Sequence, residues 1–482
     1  MRRLSTNFPL LSLRIPRPNS LFIAVCAPLV LLWALQLPDP HFSPLRPWHV
    51  PGLFMLCALL AWRSLRRGGT LHMLGLSAGL LAAATGAIQL GNWHAAQGRL
   101  LRDTGSAQAR LGAHFVVGYA DIRTLRPLVA RGLVGGVFIT RRNVAGRSEA
   151  AVAAEIASLQ ALRRLAGLPP LIIATDQEGG PVSRLSPPLN FEPGLATLVN
   201  HHGTEGASLD AAARAYGERQ GQALADLGVT VNFSPVVDLR GAPTTWLPDT
   251  HTRIDSRAIA ADAALTTRVA LAYGRGLRAQ GVTPTLKHFP GLGGVAGDTH
   301  HFPASLDTPP AVLEARDWRP FRELAPALDA YIMLAHVTLP ALDRHFPASF
   351  SRPVVSGLIR GAWGFDGVLI TDDLSMGAAY LRGLCNAVVR SLNAGVDLLL
   401  IAYDEQQIVP ALDCAAYAER RGLIDARMLA ASDARLRRDA ARRQQAQARQ
   451  QAQARQQAQA RQQARQTGPL RMAALMTLPP AH

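Results

Sequence analysis

"GVLITDD", residues 367–373, is a β-branched apolar run that ends on two carboxylates. A strand covered on both faces reads as a nearly continuous apolar run, so charge is confined to its end. Seven other stretches are built alike: "HFVVGY" (114–119), "VGGVFIT" (134–140), "PLIIATD" (170–176), "VTVNFSPVVD" (229–238), "VTPTLKHF" (282–289), "YIMLAHV" (331–337) and "DLLLIAY" (397–403). Between most of them lie segments of helical period, such as "SEAAVAAEIASLQALRRLAG" (148–167) and "ADAALTTRVALAYGRGLRAQG" (261–281). Apolar strands alternating with helices predict an α/β fold with a parallel sheet. Eight of them predict a (β/α)8 barrel of the TIM type, which takes about 250 residues and grows by loop insertion. A doubly wound open sheet is the alternative that uses the same elements.

Barrel chemistry gathers at the C-terminal ends of the strands. Asp176 ends the third predicted strand and Asp238 the fourth. Lys287 and His288 end the fifth, His336 the sixth, Asp372 and Asp373 the seventh. Each alone reads as a cap, a turn or a solvated end. Together, closing five successive apolar strands, they predict one shared site. Lys287 is the only lysine in a chain whose Lys and Arg total 50. A compact ammonium is not equivalent to a planar guanidinium fork, so this position asks for something the 49 arginines do not supply.

The chain has 482 residues, 48% of them hydrophobic, and a net charge of +16. The charge sits at the ends. Residues 1–100 hold nine Arg against Asp39, net +8, and residues 435–482 hold ten Arg against Asp439, net +9. The middle is left at −1, which argues against a basic nucleic-acid groove. The four cysteines, Cys26, Cys57, Cys385 and Cys414, lack metal-ligand spacing and read as neither a disulfide framework nor a zinc site.

Two uncharged runs, 21–37 and 71–90, approach the about 20 residues a spanning helix needs. A shorter run, 48–62, lies between them. One such run would read as a signal peptide or a core helix; these, with no small-residue cleavage site, predict membrane helices. Arg2, Arg3, Arg14 and Arg17 precede the first run, and Arg63, Arg66 and Arg67 follow the middle one. The positive-inside rule places both clusters in the cytoplasm. The prediction is therefore three spans in the inner membrane of a bacterium, a bilayer partner, and a C-terminal domain on the extracytoplasmic side. The organisation reads as an anchor over 1–100, a barrel over 105–440 and a low-complexity tail over 441–482. The tail repeats RQQAQA, so Arg443, Arg449, Arg455 and Arg461 recur every six residues. It has no apolar stripe and reads as a solvated, partly helical or disordered extension. Oligomeric state is not legible.

No phosphate-cradling P-loop, GxSxG elbow or HExxH occurs. Carboxylates, His, Lys and Arg around a barrel mouth suit glycoside hydrolysis, in which an ionised carboxylate attacks the anomeric carbon and a proton donor assists departure. A metal-dependent hydrolase is the rival, but the HxH such barrels carry on the first strand is missing from "HFVVGY". The reading assigns neither a metal nor a cofactor.

"ATDQEGGPVSRL" (174–185), "VNFSPVVDL" (231–239), "KHFPG" (287–291), "DTH" (298–300), "MLAHV" (333–337) and "GFDGVLITDDLSMGA" (364–378) follow one another in an order and spacing that resemble glycoside hydrolase family 3, in its bacterial β-N-acetylhexosaminidase branch. The resemblance covers about residues 112–440. It implies that Asp372 is the nucleophile and that Asp373 holds local structure. It implies an acid/base dyad of Asp298 and His300 on a mobile loop, in place of the carboxylic acid that a second domain supplies elsewhere in the family. It implies sugar contacts from Asp176, Arg184, Arg257, Lys287 and His288, and His336 falls within the same set. The substrate would be a glycan ending in N-acetylglucosamine, such as a peptidoglycan fragment. A β-glucosidase or an inactive glycan-binding membrane protein are the other readings. The chain departs from the family's KHFPGHG at Leu292, where the family has His.

Overall fold

The computed structural model describes residues 18–36, 39–40, 46–66, 70–102, 105–204, 206–241, 252–295 and 299–476. They form two units, up to Ala96 and from Gln97 onward.

The first unit holds three helices, α1 (Pro18–Gln36), α2 (Arg46–Leu65) and α3 (Thr70–Arg102), one for each hydrophobic run. Two helices, with apolar spans Trp48–Leu65 and Thr70–Arg102, are long and apolar enough to cross a membrane; the apolar stretch Ser20–Gln36 of α1 is shorter. At 1.5 Å per residue α3 is about 50 Å long, more than the about 30 Å of a hydrocarbon core. Ile23, Val30, Leu53, Cys57, Leu60 and Ala82 pack into a small shared core. The outer faces are also apolar, with Leu21, Leu29, Leu32, Met55, Leu80 and Ile88 all exposed.

The second unit is built on eight parallel strands: β1 (Phe115–Gly118), β2 (Gly136–Ile139), β3 (Ile172–Thr175), β4 (Val231–Asn232), β5 (Thr283–Phe289), β6 (Tyr331–Leu334), β7 (Leu369–Asp373) and β8 (Leu398–Ile401). Each falls inside one of the eight predicted stretches. Each pairs with its sequence neighbours, and β8 closes on β1 through Phe115↔Leu399 and Val117↔Ile401. That pairing makes a closed barrel and excludes the open sheet. Alternate residues, among them Val116, Ile172, Val231, Met333, Ile370 and Leu400, fill the interior, as period-2 side-chain direction requires. The predicted helices follow with caps supplied by the chain: Ser148 accepts from Ala151 N, and Asp262 accepts from Leu265 N.

Two predictions need correction. The fourth strand reads as ten residues in sequence but pairs only over Val231–Asn232, because Pro235 has no N–H for the ladder. Beyond it a lone bridge, Val236↔Lys287, keeps the segment beside β5. The cysteine spacing predicts no disulfide framework, yet Cys385 and Cys414 form a disulfide between the neighbouring helices Leu384–Ala394 and Ile408–Arg420, with Cα atoms 5.4 Å apart. A separation of 29 residues carried no pattern that would reveal it.

The lower end of the barrel, where the strands begin, is closed by the start of one long helix, Ala426–Met476. Asp397, fully buried before β8, accepts from Ser432 Oγ (2.6 Å) and Arg435 Nε (2.7 Å) of that helix. It also accepts from Arg360 Nη2 (2.6 Å) and Leu369 N (2.8 Å). One turn further, Asp439 accepts from Tyr331 (2.6 Å) and Arg443 Nε (2.7 Å). Arg443, the first of the hexad arginines, is therefore buried, although its repeat reads as solvated.

Candidate active site

At the upper end, where the strands finish, the lone lysine leaves β5 into a cage of charge. Lys287 Nζ donates to Asp176 Oδ1 at 2.6 Å and lies 2.6 Å from Glu178 Oε1. Arg257 grips the same Glu178 with both prongs, Nε to Oε2 (2.9 Å) and Nη2 to Oε1 (2.7 Å). Its third nitrogen, Nη1, donates to the Thr252 carbonyl at 2.7 Å. All four side chains are largely buried, Lys287 to 2% exposure. Burial pushes Glu178 up, but Arg257 and Lys287 outweigh it and hold the carboxyl at about 2. Burial likewise works against the Arg257 charge, and Glu178 more than restores it. Arg253, four residues away, sits exposed in a left-handed conformation outside this cage.

Asp238 closes the segment after β4 and is fully buried. Its Oδ2 lies 2.6 Å from His288 Nδ1 and accepts from His288 N (3.0 Å), while Oδ1 accepts from Leu292 N (2.8 Å). One carboxylate thus fixes both the imidazole and the first turn of the glycine-rich loop. Leu292 takes part through its backbone, which any residue offers. The loop then runs against backbone. A Cβ on Gly293 would stand 1.8 Å from the Leu239 carbonyl oxygen, and one on Gly241 would stand 1.7 Å from that of Gly293. Only glycine permits that approach.

Asp372 lies at the end of β7. Its Oδ1 accepts from Asp373 N at 2.8 Å. Burial pushes the carboxyl up, but the imidazoles of His288, His336 and His300 together hold it below its ordinary value. Asp373 faces the other way and accepts from Ser375 N (2.9 Å), Ala402 N (3.1 Å) and Tyr403 N (3.0 Å), tying β7 to β8. His336 has both ring nitrogens engaged, with Ser349 Oγ at 2.8 Å and the Asp373 carbonyl at 3.0 Å. Burial lowers its pKa, and the Asp372 charge opposes that. It is a prop beneath the two aspartates, with no ring nitrogen left for a sugar.

His300 reaches the same place from the loop after β5. Its carbonyl accepts from Gly377 N (2.8 Å), and the Thr299 carbonyl accepts from Ala378 N (3.3 Å). A Cβ on Gly377 would come within 2.3 Å of the His301 carbonyl oxygen, so a glycine five residues past Asp372 lets the loop dock. The Thr252 hydroxyl lies 3.5 Å from His300 Nδ1. Asp298 lies outside the described residues. Arg184 stands across the mouth, where Nη2 donates to the Tyr403 hydroxyl at 3.1 Å.

The structure thus gathers Asp176, Arg184, Arg257, Lys287, His288, His300, His336 and Asp372 at one end of the barrel. Sequence reasoning gave no role to Glu178 or Tyr403, and named Asp238 only as a strand end. Glu178 had a signal, since it stands two residues after Asp176 and so shares its side of the extended chain. Among the described residues no group of three or more His, Cys, Asp or Glu is arranged to hold a metal ion. What remains is a buried carboxylate, Asp372, with the His300 imidazole brought near it on a docked loop.

Comparison with known proteins gives the family. The glycosyl hydrolase family 3 N-terminal domain matches residues 107–437. A beta-hexosaminidase of Xanthomonas euvesicatoria pv. vesicatoria is 34% identical over 274 residues, covering 56% of this chain and 77% of that protein. Beta-hexosaminidase LpqI of Mycobacterium tuberculosis is 34% identical over 307 residues, covering 61% and 73%. The structure of a family 3 beta-N-acetylglucosaminidase from a Paenibacillus species superposes with a TM-score of 0.63 at 32% identity, covering 70% of this chain and 63% of that one. Because the family match runs from before β1 into the helix that closes the lower end, the likeness takes in the whole barrel: the chain is a glycoside hydrolase and belongs to glycosyl hydrolase family 3.

Proposed function

We propose that this protein is a membrane-anchored, retaining β-N-acetylglucosaminidase that removes terminal N-acetylglucosamine from glycans of the peptidoglycan type. The observation that carries the reading is Asp372: a buried carboxylate beside the His288, His336 and His300 imidazoles, at a strand end where a sugar's anomeric carbon can be presented. Asp372 attacks that carbon while the glycosidic C–O bond breaks. His300, oriented by Asp298, gives its proton to the departing oxygen. The resulting glycosyl-aspartate is opened by water, which surrenders a proton to His300 as it attacks, and the Asp372 carboxylate leaves unchanged. Asp176, Arg184, Lys287 and Arg257 hold the sugar hydroxyls. Asp238, Glu178 and His336 act through these residues by positioning them. The sugar class is carried over from the relatives' names and from the imidazole donor.

Anchoring is supported by α2 and α3 and by a helical unit that is apolar outside as well as inside, as a lipid-facing bundle requires. The outward orientation is supported by the placement of Arg63 and Arg66 and by the Cys385–Cys414 bond, since disulfides form and persist in oxidising compartments. A C-terminal alkaline phosphatase fusion is expected to be active; an inactive one, with a cytoplasmic reporter active at the same place, overturns the orientation. The chemistry is tested by Asp372→Ala assayed on an aryl N-acetyl-β-glucosaminide. Release of the aryl alcohol should fall by about 10³-fold or more; undiminished release ends the proposal.

A further inference from the structure

Tyr403, two residues past β8, is held unusually firmly for an exposed side chain. Its N–H donates to Asp373 Oδ2 (3.0 Å) and its carbonyl accepts from Arg142 Nη1 (3.2 Å). The preceding Ala402 is fixed by the same two groups, N–H to Asp373 Oδ1 (3.1 Å) and carbonyl to Arg142 Nη2 (2.6 Å). Four charge-assisted bonds therefore set two residues. One flank of the ring rests edge-on against Phe138, with centroids 6.2 Å apart. Even so, Tyr403 is 40% exposed, whereas Tyr216, Tyr273 and Tyr331 of the same unit are at most 1% exposed. A core-filling tyrosine would look like those three.

Its neighbours are those of a ligand site. The hydroxyl accepts from Arg184 Nη2, and the Arg184 guanidinium carbon lies 5.9 Å from the ring centroid. Arg184 Nε is buried and has no hydrogen-bond partner, so one donor at the mouth is left unused. A buried N–H without an acceptor is destabilising, and a ligand acceptor would satisfy it. Burial and then the nearby Asp176 carboxylate push the phenol up, so it stays protonated. The bond to Arg184 places the Tyr403 hydroxyl on the Arg184 side of the mouth. An exposed aromatic face, an unused donor and a carboxylate together fit a pyranose, whose C–H groups pack on rings and whose hydroxyls seek both polar partners.

We propose that Tyr403 is a specificity-determining residue: its ring is the wall against which the end of the terminal sugar remote from the scissile bond packs, and its phenol aims Arg184 at the hydroxyls of that end. This rests on the reading of the barrel as an N-acetylglucosaminidase. A wall at the remote end favours a terminal sugar and disfavours one epimerised there. The test compares the full-length parent, Tyr403→Phe and Tyr403→Ala on aryl N-acetyl-β-glucosaminide and its C4 epimer, aryl N-acetyl-β-galactosaminide, with thermal melts alongside. Tyr403→Ala should raise KM about 10-fold while kcat moves less than about 3-fold, and should shrink the ratio of kcat/KM between the two sugars about 5-fold. Tyr403→Phe, which keeps the wall but loses the Arg184 bond, should raise KM about 2–5-fold. Unchanged KM and sugar ratio in the alanine variant overturn the proposal, as does an equal fall in kcat for both sugars at constant KM. A parent that neither cleaves the aryl glucosaminide nor binds free N-acetylglucosamine removes the enzyme reading and this one together. A parent that does, with an indifferent alanine variant, removes this one alone.

Discussion

The two ends of the barrel carry buried charge of similar density and treat it differently. At the lower end Asp397 accepts from two arginines, a serine and a backbone N–H, and Asp439 from Tyr331 and Arg443. Asp397 has both oxygens filled by protein, Asp439 takes two donors on Oδ2, and the helix from Ala426 carries their partners. At the upper end Asp238, Glu178 and Asp373 have both oxygens engaged, but they surround groups that are not: Asp372 accepts one backbone bond, and Arg184 Nε donates to no acceptor. Buried charge by itself marks neither function nor stability. A network that closes on itself holds the fold together; one that stops short of its central groups leaves them for a substrate.

The comparison is broken most directly by exchanging its two aspartates. Asp372→Ala should abolish turnover with little change in the melting temperature. Asp397→Ala should strand Arg360 and Arg435 in the interior, costing roughly 3–5 kcal/mol of stability, while kcat per folded molecule is retained. Urea unfolding together with active-site-normalised rates checks both; an Asp397 variant that is stable but inactive would dissolve the distinction.

Lys287→Arg sharpens it at the upper end. The ammonium fits between two carboxylate oxygens at 2.6 Å each, at 2% exposure. A guanidinium is wider and planar, so kcat/KM should fall by about 10²-fold or more despite the retained charge, as for other small misplacements near the chemistry. Near-normal kinetics would show that the site has room it does not display.

Acid should act on the upper network through Glu178. Glu178 is held at about 2 against an ordinary 4.5. A lowered folded-state pKa adds stability above the unfolded value and loses it as pH falls towards the folded one. Stability should therefore drop between about pH 4.5 and pH 2, and Glu178→Gln should flatten that slope while lowering stability at pH 7. Asp372, also lowered, stays charged below the ordinary carboxylate pKa of about 3.9, so no loss of kcat/KM at higher pH should trace to it. Urea midpoints and pH–rate profiles separate the two.

The smallest effect concerns the tail. Removing residues after 450 should leave activity on a soluble aryl substrate and melting temperature unchanged. Removing everything from 441 also takes Arg443 from Asp439 and should cost about 1–3 kcal/mol. Equal stability of the two truncations would mean the lower network ends before Arg443.

Much of the fold was legible because a fully covered strand leaves an unmistakable trace: an apolar run with its first charge at the end. All eight barrel strands showed as apolar runs, and the charged ends of five of them named Asp176, Asp238, Lys287, His288, His336 and Asp372. The trace weakened where pairing is brief, as at β4, and was absent for the disulfide, whose two cysteines meet only because two helices lie side by side. Asp238 was visible as a strand end, but nothing local said that its carboxylate would hold both His288 and the loop at Leu292.

The sequence by itself determined the alternation of strands and helices, the three apolar helices before them and which side chains stand at strand ends, because periodicity and burial act over a few residues. Tertiary structure alone decided who partners whom. Lys287 meets Asp176 across 111 residues, Arg184 meets Tyr403 across 219, and Tyr331 meets Asp439 across 108. Barrel closure brings such pairs within hydrogen-bond reach, and once water is excluded each buried charge must be satisfied by whatever the fold places beside it. That requirement separates Asp397, which is closed off, from Asp372, which is left open to react.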